Sequence, residues 1–135
     1  MTYPAKILLA WGEAISGHVK FREYLMTHGF EELGLFCFAL HHDQKSRTWL
    51  MSKGFPHLMA MIRGAEGDSQ AIQWLQKHKF TYLADVALGA DNDDEAITRL
   101  LRIGQREWAG LALKIRSVKN QIEADNEDIH KISRT

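Results

Sequence analysis

An all-α solenoid is the fold class this 135-residue chain predicts, and three observations predict it. Apolar residues recur at helical spacing along the chain, with only Pro4 and Pro56 to interrupt them. The sequence repeats every 25 residues, and each period holds two short helical patterns separated by turn residues. The helices so defined are apolar on more than one side, which a lone hairpin cannot bury and a stack of hairpins can. The expected architecture is a right-handed α-solenoid of four helix-turn-helix repeats, with an N-terminal capping helix and a long C-terminal helix.

Written in rows of 25 from Phe21, the chain gives four ungapped repeats, 21–45, 46–70, 71–95 and 96–120. Leu25, Leu50, Leu75 and Leu100 fill one column; Phe30, Phe55 and Phe80 fill another, which ends in Gln105. A third column is Leu33, Leu58, Leu83 and Trp108. Asp43, Asp68 and Asp93 recur where a carboxylate can accept the free amides of a first turn, so a helix is expected after each. That helix carries Ile72-x-x-Leu75 or Ile97-x-x-Leu100 and stops at Gly29, Gly54 or Gly104, where a left-handed C-cap is tolerated. Lys79 takes the glycine's place in one row and predicts a strained or differently closed turn. The phenylalanine then plugs the elbow. Pro56 opens a second helix, as its fixed φ favours, and Leu58-x-x-Met61-Ile62 and Leu83-x-x-Val86-Ala87 mark its apolar face.

The ends depart from this plan. Segment 5–17 aligns Leu8, Ala14 and Ile15 under Leu33, Ala39 and Leu40, which makes it a lone second-type helix acting as a cap. The last second-type helix has no stop. Trp108, Leu111, Ile115, Val118, Ile122, Asp125, Ile129 and Ile132 alternate by four and three, a narrow stripe that continues into a charged segment, 121–135. The whole chain, 1–135, reads as one domain.

Composition narrows the functional classes. Lys+Arg and Asp+Glu number 17 each, with 45% hydrophobic and 25% charged residues. Enough apolar surface exists to offset chain entropy, and no basic excess exists to grip a polyanion generally. Cys37 is the single cysteine, which excludes an internal disulfide and a cysteine zinc cage. No stretch approaches the roughly 20 apolar residues of a membrane span. Glu13 breaks the short run from Ile7 to Trp11, and a basic leader is missing, so a cytoplasmic protein away from membranes is expected.

The rows resemble helical-hairpin solenoids of the ankyrin and HEAT type. The ending Leu88-Gly89-Ala90-Asp91, and more loosely Arg63-Gly64-Ala65-Glu66, is similar to the close of an ankyrin repeat's second helix. The period is shorter than the ankyrin unit of about 33 residues, and its Thr-Pro-Leu-His start is missing. The resemblance spans roughly residues 5–120 and implies a fold style and a bias towards binding proteins.

Candidate chemistry is sparse. His41-His42-Asp43 has a metal-binding flavour, but adjacent histidines diverge and the aspartate is explained as a cap. His28 and His78 share a column two rows apart, about 20 Å at ordinary helix spacing, and cannot hold one ion. His57 is expected on the surface near a helix start. Asp91-Asn92-Asp93-Asp94-Glu95 lacks the spacing of a calcium loop and complements a helix dipole. Cys37, between Phe36 and Phe38, reads as a packed small hydrophobe. No nucleophile motif, phosphate loop or dinucleotide fingerprint occurs, so no catalytic residue, cofactor or metal site is expected.

Surface columns complete the reading. Tyr24, Trp49, Trp74 and Arg99 lie to one side of the leucine column and predict a stacking ladder between repeats that ends in a cation–π contact. Glu23/Thr48/Gln73/Thr98 and Thr27/Ser52/Lys77/Arg102 should be exposed, with Glu32, His57, Tyr82 and Glu107 facing outward on the second helices. Residues 96–120 carry a net charge of +5 after an acidic run from Asp85 to Glu95. Either this is a solvated face, paired with the acidic tail, or it reads an anionic patch. The expected function is a non-enzymatic protein-interaction module, a scaffold or adaptor, contacting a protein or peptide through Leu35, Tyr82, Arg99, Arg102 and Arg106. The alternative is a nucleic-acid-binding repeat protein using the basic last row. Self-association through 108–132 is a further expectation, as is folding of that stripe back over the solenoid end.

Overall fold

Asp68 and Asp93 each accept the amides two and three residues further on, and Asp43 accepts that of Ser46 at 3.1 Å, so each opens a helix. The computed structural model describes residues 2–133, with side chains as far as Asp128, and these residues form nine α-helices without a strand. They are α1 (Ala5–Ile15), α2 (Val19–Thr27), α3 (Glu31–Leu40), α4 (Gln44–Ser52), α5 (Pro56–Ala65), α6 (Ser69–Lys77), α7 (Thr81–Ala90), α8 (Asp94–Arg102) and α9 (Arg106–Ser133). The all-α class is therefore correct. No helix among the described residues is long and apolar enough to cross a membrane.

Two kinds of turn alternate, and both keep the 25-residue register. In the first, the amides of Phe30, Phe55, Phe80 and Gln105 reach back to the carbonyls of Leu25, Leu50, Leu75 and Leu100 at 2.8–3.0 Å. The residue before each sits in the left-handed region, and Lys79 does so at φ 64°, beside Gly29, Gly54 and Gly104. The lysine turn is strained rather than differently closed. The second turn places Gly17, His42, Gly67 and Asn92 in the same left-handed region. His42 is thus part of a linker, and its neighbour Asp43 caps a helix.

The odd-numbered helices pack each on the next, from α1 through α3, α5 and α7 to α9, and α9 also packs on α1. The inner helices therefore close around a shared interior instead of leaving two remote ends. Trp11 of α1 meets Trp108 of α9 edge-on at 6.1 Å and Phe36 of α3 at 5.0 Å. One column, Trp11, Phe36, Met61, Val86 and Leu111, is fully buried in this interior. The predicted spine residues Leu25, Leu50, Leu75, Leu100, Leu33, Leu58, Leu83 and Trp108 are also buried, while Phe30, Phe55 and Phe80 are half-buried at the elbows. Each of the outer helices α2, α4, α6 and α8 touches the inner helix before it and the one after it. Four seams between inner helices are covered in this way. The α9–α1 seam is not.

Several expectations need correction. The aromatic column does not form a ladder: Trp49 stacks on Phe55 of its own row, Trp74 on Phe80 and His78, and Tyr24 on His28. Arg99 ends no stack, because its guanidinium is held on Asp85 at 2.8 Å. Glu32 is buried, accepting the Tyr3 hydroxyl at 3.1 Å, and burial together with that carboxylate pushes the Tyr3 phenol upward. His57 lies half-buried against the Phe80 ring at 4.9 Å, and that burial lowers its pKa. Glu107 is likewise half-buried instead of facing outward. Trp108, Leu111 and Ile115 are spent inside the fold, so any seam for self-association through 108–132 can start only at Val118. Side chains of Ile129 and Ile132 lie outside the described residues.

Candidate functional site at the uncovered seam

The repeat register shows what the open seam lacks. Leu9 shares its column with Gly34, Met59, Ala84 and Ala109, all buried, yet Leu9 itself is 61% exposed. Phe21 shares a column with Ser46, Ala71 and Ala96, all buried, and is 42% exposed. Surface that every later row buries is bare on the first. The cause is numerical: five inner helices close on one another, and only four outer helices lie over their seams.

Two adjoining hollows result, sharing Leu9 and Glu13. One, of about 320 Å³, lies along the seam between Leu8, Leu9 and Gly12 of α1 and Arg106, Gly110 and Lys114 of α9. The other, of about 900 Å³, is walled by Ile7, Leu9 and Ala10 of α1 and by Phe21 and Tyr24 of α2, with Lys6 and Lys20 at its lip. The α1 positions fall at helical spacing on one face, and the left-handed Gly17 turn brings α2 alongside them. Glu13 is already engaged: Lys114 Nζ donates to it at 3.1 Å, His18 binds its other oxygen, and these hydrogen bonds lower its pKa. Among the described residues Lys6, Lys20 and Arg106 make no ion pair. Glu107 is the remaining acid beside the seam.

The sequence-derived contact residues scatter over this structure. Arg106 stands on the seam, and Tyr82 lines a separate hollow with Trp108 and Phe80, its hydroxyl accepting from Gln105 at 3.4 Å. Leu35 is half-buried on α3, Arg102 is exposed on α8, and Arg99 is occupied by Asp85. Register alone could have flagged Leu9 and Phe21, since their column mates are small or apolar; what it could not show is that the covering helix is missing.

The basic last row is largely compensated in space. Arg99 pairs with Asp85, Arg116 with Asp94 at 2.8 Å and Lys119 with Asp91 at 3.2 Å, so the acids of the preceding row, more than the tail, balance it. The tail contributes Glu123, 3.9 Å from Lys119. Cys37 is buried and donates to the Leu33 carbonyl at 3.5 Å, and burial pushes its thiol up to about 12, which leaves it inert as a nucleophile. Among the described residues, no three histidine, cysteine, aspartate or glutamate side chains gather as metal ligands. No known protein family matches this chain, and no curated protein or solved structure does either.

Proposed function

We propose that this chain is a non-enzymatic protein-interaction module, a solenoid of 25-residue hairpins whose first and last inner helices meet, and that it binds through the uncovered α9–α1 seam. The observation that carries this reading is the exposure of Leu9 and Phe21 at columns that are buried in every other row. Contiguous apolar surface with a charged lip is what a partner's apolar face covers with gain. Arg99, Arg116 and Lys119 already serve carboxylates of the same chain, which speaks against the basic last row as a grip on nucleic acid.

A photo-crosslinking side chain at Leu9, used in a lysate of the source cells, tests the reading. The expected result is a discrete protein adduct that a crosslinker at the exposed outer position Gln73 does not give. Identical adduct patterns from the two positions overturn it.

A further inference from the structure

The chain carries a helix suited to the vacant seat. Outer helices follow the second-type turn in each row, at 19–27, 44–52, 69–77 and 94–102, so the register assigns the fifth to residues 119–127. In the first three full rows the turn preceding it is built on His42-Asp43, Gly67-Asp68 and Asn92-Asp93, and the corresponding residues are Ser117-Val118. With neither a left-handed residue nor a capping aspartate, no turn forms, and α9 runs straight on to Ser133. The segment that should lie over the α9–α1 seam instead leaves the fold: every residue from Glu123 to Asp128 is exposed.

Its own seat is out of reach. α9 runs alongside α1 in the same direction, with Arg106 beside Leu8 and Leu9, Lys114 on Glu13, and Ile122 and Asp125 near Ile15 and Gly17. The distal turns therefore pass beyond the Ile15 end of α1, away from Lys6 and Leu9. Fourteen residues of helix from Asn120 to Ser133 extend for about 20 Å.

Charge matches across the gap. Residues 121–128 hold four carboxylates, Glu123, Asp125, Glu127 and Asp128, and no cation. The seat presents the unpaired cations Lys6, Lys20 and Arg106 around an apolar floor; its acids are Glu107 and Glu13, and Glu13 is already paired with Lys114 and His18. The sequence spacing Ile129-x-x-Ile132 equals that of Ile72-x-x-Leu75 and Ile97-x-x-Leu100, the pairs with which α6 and α8 bury themselves on the inner helices.

Resting on the reading of the seam as a docking site, we infer that its occupant is the distal half of α9 from a second copy of this chain, exchanged reciprocally in a two-fold dimer. Exchange of an element between identical chains is a low-cost route to dimers, and the lost turn at Ser117-Val118 supplies the extended form it requires.

Sedimentation velocity on the purified full chain tests this. The expected wild-type species has twice the 15.5 kDa chain mass. Reversing the seat (Lys6→Glu, Lys20→Glu) or the helix (Glu123→Lys, Asp125→Lys, Glu127→Lys) should weaken dimerisation at least about tenfold, as lost complementary charge does. An equimolar mixture of the two variants should recover a dimer, because each then offers the other one matched helix and seat. All five side chains are exposed, and circular dichroism checks that the variants remain helical. Should a variant unfold, salt dependence of the wild-type dimer reads the same contact: added salt should weaken it. A monomer at several hundred micromolar, a dimer indifferent to both reversals, or a dimer indifferent to salt overturns the inference. A monomeric chain that still gives a specific foreign adduct at Leu9 removes the second copy and leaves the docking site standing.

Discussion

Replacing Trp11 with alanine tests whether the inner helices close. The side chain is fully buried, with Phe36, Trp108 and Tyr3 around it at 5.0, 6.1 and 6.3 Å. Removing a buried tryptophan costs about 3–5 kcal/mol, and its edge-on aromatic contacts place it towards the upper end. Part of this returns, because the indole Nε1–H is buried without an acceptor, a defect worth about 1–3 kcal/mol. The net loss is about 3 kcal/mol, within the 5–15 kcal/mol or so of a domain this size, so the variant stays folded in water.

Urea unfolding read by circular dichroism gives the magnitude, and amide hydrogen exchange gives the place. In a linear array a lesion in α1 loosens its neighbours α2 and α3 and spares the far end. With α9 packed on α1, the amides of residues 108–115 should exchange faster as well. Loosening confined to α1, α2 and α3, with α9 protected as before, would refute the closure.

Four further outcomes follow from particular residues. Lys79→Gly relieves a left-handed lysine and should stabilise by about 0.5–1 kcal/mol in urea unfolding, whereas Gly54→Lys at the equivalent turn should lose a similar amount. Gly110→Ala meets nothing within 4 Å and should gain about 0.5–1 kcal/mol of helix propensity. Gly89→Ala should instead lose about 1 kcal/mol, since its Cβ would fall 2.4 Å from Ile97 Cδ1 and 3.2 Å from Ala112 Cβ, and Ile97→Val should restore part of it. Burial depresses the pKa of His57, so the folded state holds that proton less tightly than the unfolded chain; stability is complete above the ordinary value near 6.5 and declines as pH falls through the lower folded value. A His57→Gln variant should show a shallower loss of thermal stability below about pH 6.5, and an unchanged slope would reject that assignment.

What could be read from residues alone was whatever the 25-residue period dictates locally. Leu25, Leu50, Leu75 and Leu100 are buried because helical spacing fixes which face turns inward, and Gly29, Gly54 and Gly104 sit where the first-type turn needs a left-handed residue. The second-type turn was harder, since Gly17, His42, Gly67 and Asn92 share a conformation without sharing a residue type. The aromatic column misled because its angle from the leucines sets a side of the helix and not a partner; Phe55, across the elbow, captures Trp49 within its own row. Glu32 is hidden by Tyr3, whose column mates His28, Lys53 and His78 lie in turns and supply no such hydroxyl. The sequence points to Leu35, Tyr82 and the charged last row as contacts, whereas the apolar positions bared only by the missing cover, Leu9 and Phe21, lie where the repeat begins.

Closure itself depends on what no period records, the sizes of side chains that meet across several rows. Trp11, Phe36, Met61, Val86 and Leu111 occupy equivalent positions and all face one interior. Five tryptophans there would overfill it and five valines would leave voids, and protein interiors tolerate neither. One large ring, one medium ring and three aliphatic chains fill it. Small residues act in the same direction: Gly64 and Gly89 leave room for Ile72 and Ile97, and a Cβ on either would lie 3.0–3.2 Å from Ala87 or Ala112 on the next inner helix. The five inner helices bring α9 onto α1, and a turn lost at Ser117-Val118 then leaves one seam without its cover. The exposed surface of Leu9 and Phe21 is thus a consequence of how the interior is filled, which is why altering Trp11 should be felt at the seam as well as in the core.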